Sequence, residues 1–309
     1  MPKVTVLMTT YNEEKNIIKQ AIESIINQTF QDWEMLIVVD NPNNFEAIEI
    51  IKRLSNENSN KIKYIINEKN LGLPLALNKG IELIKTDYIA RMDADDIAEE
   101  ERLYRQFMYA KNNPDVDLFG SNICYMNYTG KVLYKRNPIP TKYKNIKKTA
   151  KYLNVFNHPT LFGKTKVFKD IKYRNLKYSQ DYDFTCRAME NGFVLENMPD
   201  YLLKYRLIEN KSDEKIVRQK ITCYCIQKEY SKGNLTNIDI QKEVEEELKI
   251  VDKDKLLQTM KLYDTAFDKL RKKNIVMFVV CIVRSFFESK YQRKQILNLC
   301  KYLTAKSKK

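Results

Sequence analysis

Two rhythms of apolar and polar positions alternate along the first 120 residues. Short, mostly apolar runs, Val4 to Met8 (broken by Thr5), Met35 to Val39, Ile62 to Ile66 and Tyr88 to Ala90, read as strands, and Met35 to Val39 is continuously apolar as a buried parallel strand should be. Between them lie stretches with helical spacing. Ile17, Ile18, Ala21, Ile22, Ile25 and Ile26 share one helix face, and a second helix is expected around Glu46 to Leu54. A third follows the Asn70-Leu71-Gly72 loop and carries Leu75, Leu77, Ile81 and Ile84, and a fourth runs from about Ala98 to Lys111. Strands alternating with helices predict an α/β fold, a Rossmann-like, mostly parallel sheet flanked by helices. Further on, strands are expected at Val116 to Phe119 and Lys131 to Tyr134, a helix from Ser179 through Met189, and an edge strand at Tyr201 to Leu207. From Asp213 the chain reads as helical, Lys-rich and free of proline. Residues 1–212 are therefore expected to form one α/β domain and residues 213–309 a basic helical C-terminal region.

Polar chemistry collects where the strands stop. Thr9 and Tyr11 follow the first strand, Asp40 ends the second, and Asp93, Asp95 and Asp96 end the strand at Tyr88. In an open parallel sheet these ends share one edge, where ligands bind. Three carboxylates within four residues repel one another unless a cation or donors sit among them. A hard divalent ion that also takes substrate phosphates is the expected occupant. The alternative is structural: Asp95 or Asp96 caps the next helix.

Composition narrows the classes. The chain has 309 residues, 43% of them hydrophobic, with only 7 Gly and 8 Pro, which excludes a fibrous or disordered protein. The net charge of +14 is uneven: residues 251–309 hold 15 Lys and Arg against 5 Asp and Glu. That basic end suggests an acidic surface as partner. The clearest motif is acidic and there is no basic-aromatic RNA motif, so nucleic acid is not expected. Six scattered cysteines and one histidine make zinc unexpected and reduced thiols the default. No signal peptide is read at the N-terminus. The longest apolar run, Ile275 to Val283, falls short of the about 20 residues that a membrane span needs. A cytoplasmic location is expected, with peripheral attachment to the inner face of a membrane open.

With these residues assembled, the chain resembles the family 2 inverting nucleotide-sugar glycosyltransferases of GT-A fold, those that build bacterial capsules and O-antigens. The matching pieces are Val4 to Asn12, Ser24 to Phe30, Asp40, Asn70-Leu71-Gly72 with Leu77 to Gly80, Tyr88 to Ile97, Asn157-His158-Pro159-Thr160, and Gln180-Asp181-Tyr182-Asp183. They cover residues 1 to about 210 in the family's order. The resemblance implies a hexose or N-acetylhexosamine moving from a UDP-sugar to a hydroxyl of a glycan or lipid-linked saccharide. It implies Thr9, Tyr11 and Asp40 on the nucleotide base and Asp93 on the ribose or sugar. It implies Asp95 on Mn²⁺ or Mg²⁺ at the diphosphate, and Asp181 as general base. His158, Arg91 and Asp96 are implied acceptor or sugar contacts, although Arg91 and Lys79 read more readily as solvated surface charge. Bland readings stand beside these: a turn-initiating Asp40, an Asp181 that caps its helix, and a His158 satisfied by backbone.

The chain departs from the family pattern at Gln180, where Glu is usual, at Asn41 after Asp40, and at Ile208, where a His is usual. A non-catalytic sugar-binding scaffold therefore remains a rival. A metal-dependent nucleotidyltransferase is a weaker one, because the loop after the first strand has no glycine. A glycoside hydrolase would use two carboxylates but leave Asp40 without a task. The stretch Asn274 to Phe287 is apolar almost all round and flanked by Lys269, Arg271, Lys272, Lys273, Lys290, Arg293 and Lys294. A helix of that kind must bury against something: its own subdomain, a second copy in a homodimer, or an anionic membrane.

Overall fold

A computed structural model describes residues 2–207 and 212–306. Its contacts divide the chain into two compact units, residues 1–147 with 155–209, and residues 148–154 with 210–309.

The first unit is built on a nine-stranded sheet in the order β3-β2-β1-β4-β8-β6-β9-β5, with β7 added to β6. The half formed by β1 (Val4–Thr10), β2 (Trp33–Val39), β3 (Ile62–Ile66) and β4 (Tyr88–Asp93) is parallel throughout. Every residue of β1 is buried, Thr5, Thr9 and Thr10 included, as suits a central parallel strand covered on both faces. α1 (Lys15–Ile26), α2 (Phe45–Glu57) and α4 (Arg102–Asn112) cover one face, where Ile18, Ile22, Ile51 and Leu103 pack on Val6, Met8, Ile37 and Met92. α3 (Leu73–Leu83) lies on the other face, so close that a Cβ on Gly80 would meet the Leu7 side chain.

The other half of the sheet is mixed. β8 (Phe162–Lys164) runs antiparallel to β4 and to β6 (Leu118–Met126), and β6 runs parallel to β9 (Leu195–Arg206). β5 (Ile97–Ala98) and β7 (Val132–Lys135) are short antiparallel additions. A 3₁₀ turn, His158–Thr160, precedes β8, and α5 (Tyr143–Thr149), α6 (Thr165–Ile171) and α7 (Gln180–Glu190) complete the element order before β9.

Three local expectations need correction. Ile97 and Ala98 do not open a helix. They pair with Lys204 and Leu203, and α4 begins at Arg102. The strand expected at Val116 to Phe119 begins at Leu118 and runs on to Met126, because β9 offers it a long parallel partner. β9 is not at the edge: β6 lies on one side of it and β5 on the other.

The second unit contains α8 (Asp213–Lys232), α9 (Ile240–Ile250), α10 (Lys253–Arg271), α11 (Ile275–Glu288) and α12 (Lys290–Lys306). Ser212, Asp239, Asp252 and Asn274 each cap the following helix by accepting a backbone N–H. α11 buries Cys281 and Ser285 toward α10, where the Ser285 hydroxyl donates to the Thr259 carbonyl at 3.0 Å. Its opposite side is open: Ile275, Val276, Val279, Val280, Val283 and Phe287 are exposed, Phe287 at 70%. The all-round burial expected of α11 is therefore met on one side only, since α10 covers a single stripe. None of the described helices is long and apolar enough to cross a membrane.

Candidate active site

Parallel register brings the strand ends together. Thr9 of β1 lies opposite Asp93 of β4 on one side and Val38 of β2 on the other. Asp40 follows β2 directly, and its backbone N–H donates to the Thr10 carbonyl at 2.8 Å. β1 has neighbours reached by chain in opposite directions, so this is the switch point at which open α/β sheets leave a crevice. Tyr11 sits at the rim, half-exposed, with its N–H on Glu13 Oε2 at 2.7 Å. Thr10 donates to the same oxygen at 2.6 Å, which fixes the loop between β1 and α1.

Asp40 is buried and well supplied with donors. Its Oδ1 accepts from Asn67 Nδ2 at 2.7 Å and Leu71 N at 3.0 Å, and its Oδ2 accepts from Gly72 N at 2.9 Å. The carboxylate thus ties down the loop that opens α3. Gly72 sits at φ 83°, where a side chain would be strained, so the loop needs glycine there to offer its N–H. Lys79 reaches Asn67 Oδ1 at 2.7 Å and belongs to this network. A carboxylate has about four lone-pair positions, so one on Oδ2 stays available to a ligand.

The cluster at the end of β4 is treated differently. One carboxylate oxygen from each of Asp93, Asp95 and Asp96 lies within 4.8 Å of the others. Asp96 is fully buried. Its Oδ1 accepts the Arg206 backbone N–H at 2.9 Å, while its Oδ2 has no partner. Burial first, then the charges of Asp93 and Glu13, push the Asp95 carboxyl up to about 7. Burial, Asp93 and Asp95 likewise raise Asp96. One buried carboxylate oxygen is without a hydrogen-bond partner, and burial and mutual repulsion disfavour the ionisation of Asp95 and Asp96. The all-oxygen donor set fits Mg²⁺ or Mn²⁺. Neither Asp95 nor Asp96 caps a helix, because α4 starts only at Arg102.

Arg91 is not a surface charge. It is 1% exposed and forms an ion pair with Asp93. β4 is covered on both faces, so a charged side chain within it is carried into the interior. Burial disfavours its charge, but Asp93, with Tyr173 and Asp96, more than offsets this, and its pKa is raised. Arg102, also buried, donates to the Arg91 carbonyl at 2.6 Å and to Gln106 Oε1 at 3.0 Å. Gln106 in turn donates to the Thr160 carbonyl at 2.8 Å, and Arg91 N donates to the Leu161 carbonyl at 2.8 Å. The His158-Pro159-Thr160 turn is thereby pinned beside β4.

His158 is buried, with its Nε2 3.0 Å from the Tyr173 hydroxyl. Burial, then the charge of Arg91, lowers its pKa well below the usual imidazole value, so the ring is neutral. The Tyr173 phenol feels the carboxylates of both Asp93 and Asp181. Asp181 lies in the first turn of α7, half-buried. The N-cap position is Ser179, so Asp181 does not cap its helix. Asp183 beside it is fully buried on Arg187 at 2.7 Å and is fixed as structure.

Tyr173, Asn67, Glu13 and Arg206 were not singled out in the sequence as site residues. Arg206 donates to the Asp95 carbonyl at 2.8 Å and Gln20 Oε1 at 2.9 Å, and to the Tyr128 carbonyl. The available signal was the Tyr205-Arg206 pair, which resembles the family's Tyr-Arg-x-His ending. The neighbouring Ile208 lies outside the described residues.

Three comparisons bear on this site. Residues 5–172 match Glycosyl transferase family 2. An uncharacterized glycosyltransferase of Methanocaldococcus jannaschii is 41% identical over 226 residues, 72% of this chain and 77% of that protein. The O-antigen biosynthesis glycosyltransferase WbnJ of Escherichia coli is 32% identical over 242 residues, 76% of this chain and 91% of its own. The amylovoran biosynthesis glycosyltransferase AmsE of Erwinia amylovora is 35% identical over 206 residues, 65% and 75%. Among solved structures, residues 1–349 of S. aureus TarS in complex with UDP-GlcNAc superimpose with a TM-score of 0.60 at 16% identity, over 95% of this chain and 92% of that one. The match over residues 5–172, the relatives and the shared fold agree: this chain belongs to glycosyltransferase family 2, built on the GT-A fold.

Proposed function

We propose that the chain is an inverting glycosyltransferase. It moves a hexose or N-acetylhexosamine from a UDP-sugar to a hydroxyl of a glycan or lipid-linked saccharide in surface polysaccharide synthesis. One observation carries this reading: Thr9, Asp40 and the Asp93-Asp95-Asp96 cluster meet at the C-terminal ends of three adjacent parallel strands. Relatives in O-antigen and amylovoran synthesis support the polysaccharide setting, and a structural neighbour solved with UDP-GlcNAc supports the donor.

The nucleotide base lies against Thr9 and Tyr11 and takes the remaining lone pair of Asp40. Asp93, held by Arg91, meets the ribose or sugar. Asp95 would hold Mn²⁺ or Mg²⁺ at the diphosphate, with the buried Asp96 carboxylate beside it. When bound, the ion supplies Lewis-acid stabilisation of the departing diphosphate. Asp181 accepts the acceptor hydroxyl's proton as the new glycosidic bond forms, on the face of the sugar opposite the leaving group. His158, neutral and fixed by Tyr173, contributes shape at the acceptor side. Residues 1–212 perform this chemistry.

Residues 213–309 attach the enzyme to the anionic inner face of the membrane, which keeps the catalytic unit in the cytoplasm. Arg271, Lys272 and Lys273 are exposed immediately before the open apolar side of α11. Each basic residue near an anionic surface is worth roughly 1 kcal/mol. The full chain is expected to sediment with phosphatidylglycerol vesicles at low salt and release at high salt, and Val280→Asp with Phe287→Asp should abolish it. No sedimentation at low salt, or a dimer in solution that these substitutions dissociate, overturns the membrane assignment.

The function is tested with a panel of UDP-hexoses and UDP-N-acetylhexosamines. One of them should raise the melting temperature and be hydrolysed slowly when Mn²⁺ or Mg²⁺ is present. Failure of every donor to bind or react contradicts it.

A further inference from the structure

Three tyrosines stand directly opposite one another across three neighbouring strands. Tyr125 of β6 is in register with Tyr134 of β7 and with Tyr205 of β9. Direct opposition in a pleated sheet puts all three on one face. Their rings touch in sequence: Tyr134 and Tyr125 have centroids 5.0 Å apart at 50°, Tyr125 and Tyr205 5.9 Å apart at 89°. Exposure falls along the row. Tyr134 is 55% exposed, and Tyr125 and Tyr205 are half-buried.

The inner end adjoins the acidic cluster. Arg206, next in sequence to Tyr205, places its backbone N–H on Asp96 and its Nε on the Asp95 carbonyl. Arg206 is directed to Gln20 and the Tyr128 carbonyl, so Tyr205 points to the opposite face. Burial, then the charges of Asp93, Asp96 and Asp95, raise the Tyr205 phenol's pKa, as expected of a ring in their field.

Cross-strand packing alone would account for Tyr125 and Tyr205. It does not account for Tyr134. β7 pairs only with β6 and leaves Val132, Leu133 and Tyr134 exposed, an apolar edge of the kind proteins usually blunt. A phenol has an apolar face and a polar tip, which matches a pyranose with its C–H face and hydroxyl rim. With strands about 4.8 Å apart, the row spans about 10 Å, the length of a disaccharide.

We propose that Tyr205, Tyr125 and Tyr134 form a stacking track for a pyranose oligosaccharide, with its reacting end at Tyr205 and the remainder running out over Tyr134. The track rests on the glycosyltransferase reading above and gives its acceptor a stated chemistry: a chain of at least two pyranose units that presents C–H faces to the rings.

Tyr134 is the residue to test, because it is exposed and its loss does not threaten the fold. Wild type, Tyr134→Ala and Tyr134→Phe are applied, with UDP present, to a printed array of pyranose mono- and oligosaccharides. Wild type is expected to select oligosaccharides over monosaccharides. Tyr134→Ala should lose about tenfold in affinity for them, the upper range for one aromatic contact, while Tyr134→Phe keeps it. With a selected oligosaccharide as acceptor, Tyr134→Ala should raise KM and leave kcat near wild type. Equal binding by wild type and Tyr134→Ala, an equal loss in Tyr134→Phe, or no oligosaccharide retained by wild type each overturns the track. UDP-induced thermal stabilisation, measured alongside, reports on the donor site alone. Its absence would strike the glycosyltransferase reading, while the array result judges the tyrosines.

Discussion

β4 ends in an aspartate and β2 is followed directly by one at the same sheet edge, and the protein treats the two carboxylates in opposite ways. Asp40 receives three protein donors and locks the loop before α3. At the end of β4, three carboxylates share a space within 4.8 Å, one buried oxygen is orphaned, and Asp95 is pushed up to about 7 by burial and its neighbours. Buried polar groups are normally satisfied. A satisfied carboxylate stabilises the fold unaided; clustered carboxylates repel one another unless protons, Arg91 or a cation offset their charge. The first is a strut that spares one lone pair, and the second is the cluster that the proposed function makes a cation site.

Substitutions can break this contrast. The largest effect belongs to Asp95→Ala, which should remove metal-dependent transfer altogether while leaving the fold intact, as judged by circular dichroism and thermal melting. Asp181→Asn comes next. It keeps shape but cannot accept a proton, so kcat should fall about 10²–10⁴-fold with UDP affinity little changed. A near-normal kcat would leave Asp181 without a catalytic task.

Stability changes rank below these. Arg91→Met strands Asp93 without its internal counter-charge and should cost about 3–5 kcal/mol in a denaturant melt without metal. Added Mn²⁺ should recover part of that loss. Asp40→Ala leaves the N–H donors of Asn67 and Leu71 without their acceptor, while Gly72 N keeps Asn70 Oδ1, and should cost roughly 2–3 kcal/mol, with no recovery by Mn²⁺. Recovery of Asp40→Ala by Mn²⁺ would erase the distinction between the two strand ends.

The parallel half of the sheet was readable because its information is local. Ile62 to Ile66 is a strand by its own composition, and α1 follows from the spacing of Ile18, Ile22 and Ile25. Thr9, Asp40 and Asp93 were readable as neighbours because parallel topology sends strand ends to one edge. The misread elements depend on distant partners. Ile97 and Ala98 are a strand only because Lys204 and Leu203 pair with them. Arg91 looked like a surface charge because sequence shows neither the cover over β4 nor the ion pair that makes its burial tolerable. Tyr173 had no periodic or motif signal, since its place is set by His158. The Tyr134-Tyr125-Tyr205 row likewise exists only through register.

The most direct test is a calorimetric titration of Mn²⁺ into metal-free wild type, Asp40→Asn and Asp95→Ala at neutral pH with UDP present. One ion is expected to bind wild type and Asp40→Asn with comparable heat per site, and none to bind Asp95→Ala. Equal binding by all three proteins, or none by wild type, would contradict the assignment of the β4 carboxylates as the cation site.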